Sequence, residues 1–93
     1  MEIRDEDGPK GGRYVTGEPG QEAEMTFSRA SPRLIIIDHT GVPDIYRGQG
    51  VGARLAEHAV EAARAGGWKI IPLCPFFKSQ LQRHPEWQDI IAH

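Results

Sequence analysis

Alternating apolar and polar positions mark the first half of the chain. Between residues 21 and 29, Ala23, Met25 and Phe27 are each followed by a polar side chain. A period of two is typical of a strand that buries one face. A shorter strand is predicted at 13–16, because a turn rich in glycine and proline separates it from this one.

A continuous aliphatic run, Leu-Ile-Ile-Ile, lies within residues 33–40 and follows a turn at 30–32. A strand that is apolar on both faces belongs in the middle of a sheet. We therefore expect 33–40 to be the central strand. The Gly-Val-Pro sequence at 41–43 then ends it.

The hydrophobic period changes after this break. Apolar residues recur at four-residue spacing, at Val51, Leu55, Ala59 and Ala63, with charged residues mostly on the opposite side. This spacing predicts an amphipathic helix of about four turns. Its alanine-rich face should let the helix lie close to the sheet. Two glycines at 66–67 form a suitable C-terminal stop.

The order of elements sets the predicted fold class. After the helix, residues 68–74 predict a further strand, closed by Pro75, and the tail predicts one or two short helices. A strand–helix–strand connection makes its two strands parallel, whereas the short turns before 33–40 favour antiparallel pairs. The class is therefore α+β, or α/β in looser usage, with one mixed sheet. At 93 residues the chain has room for one domain, with a core at about 13–91.

Composition and charge exclude several classes of protein. The 39% of hydrophobic and 26% of charged residues are ordinary for a globular protein, and the net charge of −2 offers no basic stripe for nucleic acid. Cys74 is the only cysteine, so we expect no internal disulfide and no cysteine-based metal cluster, and no metal-binding residues are predicted. The charged N-terminus and the short aliphatic runs predict neither a signal peptide nor a membrane span. The expected location is the cytoplasm.

The strongest chemical signal is the segment 46–55, Tyr-Arg-Gly-Gln-Gly-Val-Gly-Ala-Arg-Leu, between the central strand and the helix. Glycines let a backbone approach a ligand closely, because no Cβ intervenes. The first N–H groups of a helix lack intrahelical partners and lie at the positive end of its dipole, so they suit a diphosphate. Arg47 can add a charge-assisted contact. A flexible linker would not need three glycines in a helix's first turn, where each costs up to about 1 kcal/mol.

Two other phosphate-binding motifs fit this segment less well. Residues 48–53 match the G-x-G-x-x-A form of the dinucleotide fingerprint. That motif follows the first strand and needs an acidic residue at the end of the next one. Here the loop follows the third predicted strand, and 71–75 contains no acid. A Walker A loop requires a Gly-Lys-Ser/Thr ending, which the segment lacks.

A third motif matches. Arg47, Gly50 and Gly52 meet the Arg/Gln-x-x-Gly-x-Gly/Ala pattern, and the segment resembles the pyrophosphate loop of the GNAT acetyltransferase superfamily. Four blocks look like those of a small stand-alone branch of GNAT-like N-acetyltransferases: 39–43, 47–52, 72–76 and 84–87. The resemblance covers about 13–91.

This resemblance implies acetyl-coenzyme A as co-substrate and an amine as acceptor. The pantetheine arm would lie between the two parallel strands, 33–40 and 68–74, where they diverge. The pyrophosphate would accept hydrogen bonds from the backbone N–H groups of residues 49–52. The implied cofactor-binding residues are Val42, Arg47, Gly48, Gln49, Gly50, Val51 and Gly52.

The catalytic groups are less strongly signalled. Many GNAT enzymes carry a glutamate on the strand before the loop and a tyrosine after the last core strand. Here 37–42 contains no glutamate and 74–77 no tyrosine. Cys74 is a candidate acid for the leaving thiolate or a transient acyl acceptor, or alternatively a small buried hydrophobic residue. His39 is a candidate base, or a hydrogen-bonded structural histidine.

Other polar and aromatic residues lie near these positions. Asp38 or Asp44 could supply a carboxylate on the substrate side. Alternation along an ideal strand puts Asp38 and His39 on opposite faces, so we do not expect them to act as a pair. His84, before Pro85, is interpreted as a capping or packing residue. The aromatic residues are interpreted as core and cleft wall, not as a base-stacking platform.

Two functions are compatible with this sequence. The first is acetyl transfer from acetyl-coenzyme A to an amine of a small molecule or a protein. The second is a non-catalytic acyl-coenzyme A-binding module, which the short chain and the missing tyrosine favour. Both would bind the cofactor, so turnover against a panel of amines separates them.

Overall fold

The computed structural model describes residues 2–92, which form one five-stranded sheet. The strands lie side by side in chain order: β1 (Arg4–Asp7), β2 (Gly11–Thr16), β3 (Ala23–Ser31), β4 (Leu34–Gly41) and β5 (Lys69–Pro72). Neighbours are antiparallel from β1 to β4, whereas β4 and β5 are parallel. The predicted mixed sheet and α+β class are confirmed. The aliphatic strand β4 is paired on both sides, but it is the fourth of the five strands and not the central one, because the unpredicted strand β1 extends the other edge.

Two α-helices and two 3-10 segments complete the fold: α1 (Val51–Gly66), α2 (Pro75–Arg83), Asp44–Tyr46 and Pro85–Ile90. The predicted glycine stop is confirmed, since Gly67 caps α1 with φ +75° and its N–H bonds to the Ala63 carbonyl at 2.9 Å. No helix within residues 2–92 combines the length and the hydrophobicity that crossing a membrane requires.

The core lies between one face of the sheet and the helices. Met25 and Phe27 of β3 are buried, as the period of two predicts, and Ile35 and Ile37 of β4 lie on the same side. α1 covers this face with small side chains, which include the fully buried Ala59. Since alanine projects little beyond the helix backbone, α1 packs closely on the strands. The opposite face of the sheet, called here the open face, carries mostly polar residues.

Strand β1 has no counterpart in the sequence prediction. All four of its side chains are exposed, so no apolar alternation reveals it. It forms through backbone pairing with β2, in a register that joins Arg4 to Val15. A charged edge strand of this kind discourages pairing with other molecules.

The last strand is shorter than predicted. β5 ends at Pro72, and Cys74 is the N-cap of α2, whose first residue is Pro75. Proline fits the first helical position because its missing N–H would have no partner there. The expectation that Cys74 ends a strand is therefore corrected, and the residue instead lies at a strand-to-helix junction.

A bulge in β4 corrects a second expectation. Thr26 of β3 pairs with His39, but Phe27 pairs with Ile37, which leaves Asp38 as an extra residue. A bulge breaks the strict alternation of side chains along a strand. Asp38 accepts a hydrogen bond from Thr26 Oγ1 at 2.5 Å, so its side chain lies on the same open face as His39. The two side chains do not point to opposite faces.

Candidate functional site

Strands β4 and β5 separate at one end of the sheet. Their last paired residues are Ile37 and Pro72, and β4 continues to Gly41. The N–H groups of Leu73 and Cys74 both bond to the Ile37 carbonyl, at 3.0 and 2.9 Å, as the chain turns into α2. The part of β4 from 38 to 41 therefore borders a gap, and an extended ligand chain could pair with it.

The glycine loop lies beside this gap, at the N-terminus of α1. Gly48 and Gly50 adopt left-handed conformations, with φ of +80° and +70°. A Cβ placed at either position would meet no other atom within 4 Å, so the outer side of the loop is open. Within the described chain, the backbone N–H groups of residues 50–53 donate to no backbone carbonyl. They are the free donors that an anion would use.

Gln49 differs from its expected role. Its N–H donates to the Tyr46 carbonyl at 3.1 Å, and its side-chain Nε2 donates to the Ile45 carbonyl at 3.3 Å. These bonds close the turn ahead of the helix. In this conformation Gln49 shapes the loop, and the donors begin one residue later, at Gly50.

Gly52 is required for a different reason than the other two glycines. A Cβ at this position would lie 2.6 Å from Cζ of Phe76, on α2. The absent side chain lets α1 and α2 come together at the edge of the loop. The third glycine of the motif is thus explained by helix packing, whereas Gly48 and Gly50 are explained by backbone conformation.

A depression of about 300 Å³ lies between the loop and α2. Val42 and Arg47 border it on the loop side, and Phe76, Gln80 and Arg83 border it on the helix side. These last three follow one another at helical spacing, so they form one face of α2. Sequence reasoning did not select Gln80 and Arg83, although the spacing i, i+4, i+7 from Phe76 is visible in the sequence.

Gln80 lines this depression with its amide. The residue is 7% exposed, and its amide forms no hydrogen bond to another side chain or backbone group of residues 2–92. Within these residues the fully buried side-chain polar atom without a partner is Nε1 of Trp68, so the Gln80 amide reaches solvent in the depression, where a polar ligand could take up its hydrogen bonds. Arg83, one turn later, adds a positive charge at the same wall. The depression therefore suits an anionic ligand with further hydrogen-bonding groups.

Arg47 and Tyr46 position the loop in different ways. Arg47 is largely exposed, and its guanidinium lies 3.0 Å from the Asp44 carboxylate. Tyr46 is buried, and its hydroxyl accepts a hydrogen bond from the Glu18 N–H at 2.9 Å. A Cβ on Gly17 would lie 2.6 Å from that hydroxyl, so this glycine makes room for the ring. The β2–β3 turn thus holds the start of the loop in place.

The two candidate catalytic residues lie on opposite faces of β4. Cys74 is 2% exposed, and its Sγ lies 3.3 Å from Oγ1 of Thr40, which shares the helix-covered face with Met25. His39 is exposed on the open face, and its Nε2 lies next to Gly41. A group held in the gap between β4 and β5 could be approached from both sides.

His84 has the packing role inferred from the sequence. Its ring stacks on Trp87 with centroids 4.0 Å apart, and its Nδ1 lies 3.0 Å from the Glu86 carboxylate. It is the residue between α2 and the last 3-10 segment. His84 therefore stabilises the C-terminal corner and has no place in the candidate site.

The family follows from the sequence match over this same framework. Residues 13–90 match the model of the GCN5-related N-acetyl-transferase family. The chain belongs to this family. Its membership assigns the protein to the acetyltransferases and confirms the resemblance inferred from the glycine loop. No curated protein sequence is significantly similar to the chain.

A solved structure agrees with the family assignment. The chain is similar to a GCN5-like protein from Staphylococcus aureus, determined in solution by NMR, whose suggested activity is N-acetyl transfer. The two chains share 35% identity with a TM-score of 0.73, and the similarity covers 96% of this chain and 87% of the other. This acetyltransferase therefore shares its fold with the Staphylococcus aureus protein over most of both chains.

Proposed function

We propose that the protein transfers the acetyl group of acetyl-coenzyme A to a primary amine. The observation that carries the proposal is the arrangement of the glycine loop, the wall of α2 and the gap beside β4. Coenzyme A carries a diphosphate that joins its phosphorylated adenosine to an extended pantetheine arm with two amides. Free N–H groups and arginines suit the diphosphate, and an unpaired strand edge suits the arm.

Acetyl transfer requires three groups from the protein: a base, donors for the oxyanion and an acid. The amine must lose a proton before it attacks the thioester carbon, the developing oxyanion needs donors, and the departing thiolate needs a proton. His39 is the candidate base on the open face. Cys74 is the candidate acid on the covered face, where Thr40 orients its thiol. The C–N bond forms as the C–S bond breaks, and acetylated amine and coenzyme A leave.

A non-catalytic acyl-coenzyme A-binding module is the second candidate. It is supported by the burial of Cys74, which is 2% exposed, and by the lack of a tyrosine at 74–77. Such a module would use the same glycine loop. The two functions therefore differ only in whether bound acetyl groups are passed on.

Binding and turnover test the proposal together. Acetyl-coenzyme A at about a hundred times its Kd should stabilise the protein by about 2.7 kcal/mol, which raises Tm by roughly 10 °C or more for a chain of this size. Thiol release measured against a panel of amines then reports transfer. A rise in Tm without transfer to any amine would favour the binding module. No response to the cofactor would contradict both functions.

Two arginines should contribute unequally to cofactor affinity. We expect Arg83→Ala, beside the buried Gln80, to weaken coenzyme A binding by roughly ten- to a hundredfold, the range for a hydrogen bond to a charged group. Arg47→Ala should cost less, about tenfold, because its side chain is 80% exposed and already paired with Asp44. Calorimetry with coenzyme A measures both effects.

Arg54→Ala is the matched control, since this arginine is exposed on α1 and borders a different depression, next to Ile3 and His58. Its affinity for coenzyme A should equal that of the wild type. Repeating the titrations with 3′-dephospho-coenzyme A shows which phosphate each arginine contacts. Equal affinities for Arg83→Ala and Arg54→Ala would remove α2 from the cofactor site.

A further inference from the structure

The open face of the sheet divides into two parts by charge. Over β1 to β3, the glutamate carboxylates form ion pairs with arginine side chains. Arg13 bonds to Glu6 at 2.7 Å and to Glu24 at 2.6 Å, and Arg4 bonds to Glu22 at 2.7 Å. Hydrogen bonds to Glu6 and Glu24 raise the pKa of Arg13 above its ordinary value, so the guanidinium stays charged. These carboxylates are engaged within the protein.

Asp38, on β4, is different. Its carboxylate accepts hydrogen bonds from the hydroxyls of Thr26, at 2.5 Å, and Ser28, at 3.4 Å. Neutral hydroxyls orient the carboxylate but leave its charge in place. Within residues 2–92, no arginine, lysine or histidine nitrogen lies within 4 Å of it. Asp38 is exposed and can bind a cation from solution.

The position of Asp38 connects it to the candidate active site. The bulge turns Asp38 and His39 to the same face, directly beyond the last residue that β4 pairs with β5. The backbone of both residues therefore borders the gap in which the proposed thioester would be held, and the Asp38 carboxylate lies on the β3 side of β4, against Thr26 and Ser28. α1 and α2 approach this gap from the covered face. The open face is left for a second substrate.

Aliphatic side chains continue this surface toward β5. Ile36 and Ile71 are paired neighbours and only half-buried, because no helix among residues 2–92 covers them. Leu73, two residues further on, is 56% exposed. Its N–H bonds to the Ile37 carbonyl, which places it level with the start of the bulge. An oriented, uncompensated carboxylate thus lies at the end of an aliphatic strip.

We infer that this surface binds the acceptor, and that the acceptor is a primary amine on an apolar body, such as an alkylamine or arylalkylamine. The inference rests on the proposed function. Asp38 binds the ammonium group, and the body of the molecule lies on Ile36, Ile71 and Leu73. His39 then takes one proton of the ammonium group. As the C–N bond forms and the C–S bond breaks, the Cys74 thiol protonates the departing thiolate and regains a proton from the second one lost by nitrogen.

Amine binding to the protein saturated with coenzyme A tests this site without requiring turnover. Hexylamine and benzylamine, followed by amide chemical shifts, should perturb residues 36–41 and 73. Asp38→Asn should weaken their binding by at least about tenfold, as expected for the loss of a charge-assisted hydrogen bond, while Asp38→Glu keeps part of the affinity. Glu6→Gln removes a charge from the same face, three strands away, and should leave amine affinity unchanged. Hexanol, which lacks the charge, should bind weakly to all four proteins.

Turnover provides the second measurement. With acetyl-coenzyme A saturating, Asp38→Asn should raise KM for hexylamine and change kcat little. The affinity of this variant for coenzyme A should equal that of the wild type. If Asp38→Asn and Glu6→Gln change amine affinity and KM equally, Asp38 contributes only to the net charge of the face, and the inference is wrong. If spermidine binds more tightly than hexylamine, the acceptor does not have an apolar body. If coenzyme A binds but no amine perturbs 36–41, the acceptor site is wrong while the cofactor site stands. Failure to bind coenzyme A would count against the proposed function, and the amine titration of the free protein would still decide whether Asp38 binds ammonium.

Discussion

Gly50→Val should remove the rise in Tm that acetyl-coenzyme A gives the wild-type protein. Gly50 caps α1 with φ +70°, and the space beyond its Cα is open. A valine there would place its side chain over the free N–H groups of the first helical turn, where the diphosphate is proposed to lie. It would also add backbone strain, because a β-branched residue disfavours positive φ.

A second glycine separates strain from lost binding. Gly20, in the β2–β3 turn, has φ +85°, and a Cβ added to it would likewise meet no atom within 4 Å. Gly20→Val should therefore reduce the free energy of unfolding by about 1–2 kcal/mol, which is also the loss expected from the backbone strain of Gly50→Val. Tm of the two free proteins should fall by similar amounts. Only Gly50→Val should lose the response to acetyl-coenzyme A in thermal melts. A folded Gly50→Val protein with the full ligand-induced rise would contradict the site.

Removal of the Cys74 thiol should reduce acetyl transfer by at least about a hundredfold, the lower end for general acid catalysis, with coenzyme A affinity unchanged. The thiol is held 3.3 Å from the Thr40 hydroxyl at the gap where the departing thiolate would form. Cys74→Ser keeps a proton donor of similar size and should retain more activity than Cys74→Ala. Steady-state rates at saturating acetyl-coenzyme A measure both.

Burial makes a packing control necessary for this residue. Because Cys74 is 2% exposed, Cys74→Ala leaves a small cavity and lowers stability irrespective of chemistry. Cys74→Val fills the space without a donor, so it should be as inactive as Cys74→Ala if the thiol acts chemically. Recovery of transfer in Cys74→Val would assign a purely structural role. The free thiol should react slowly with alkylating reagents, since reactivity follows exposure and thiolate character.

The sequence determined the elements that depend on local patterns. The period of two at Ala23, Met25 and Phe27 predicted β3, and four-residue spacing predicted α1 with its glycine stop. These patterns are readable because each repeats a relation between near neighbours along the chain. The glycine loop was also visible locally, since its motif and its place between a strand and a helix lie within about twenty residues.

The tertiary structure decided what depends on contacts between distant segments. The bulge at Asp38 exists only in the register of β4 against β3, so the alternation rule placed this side chain on the wrong face. Gln80 and Arg83 join the loop only because α2 folds back beside it, and Gly52 is explained only by Phe76. Strand β1 forms by backbone pairing that no hydrophobic pattern records. Local periodicity specifies which residues are buried in each element, but which polar side chains meet at the site is set by how the elements pack.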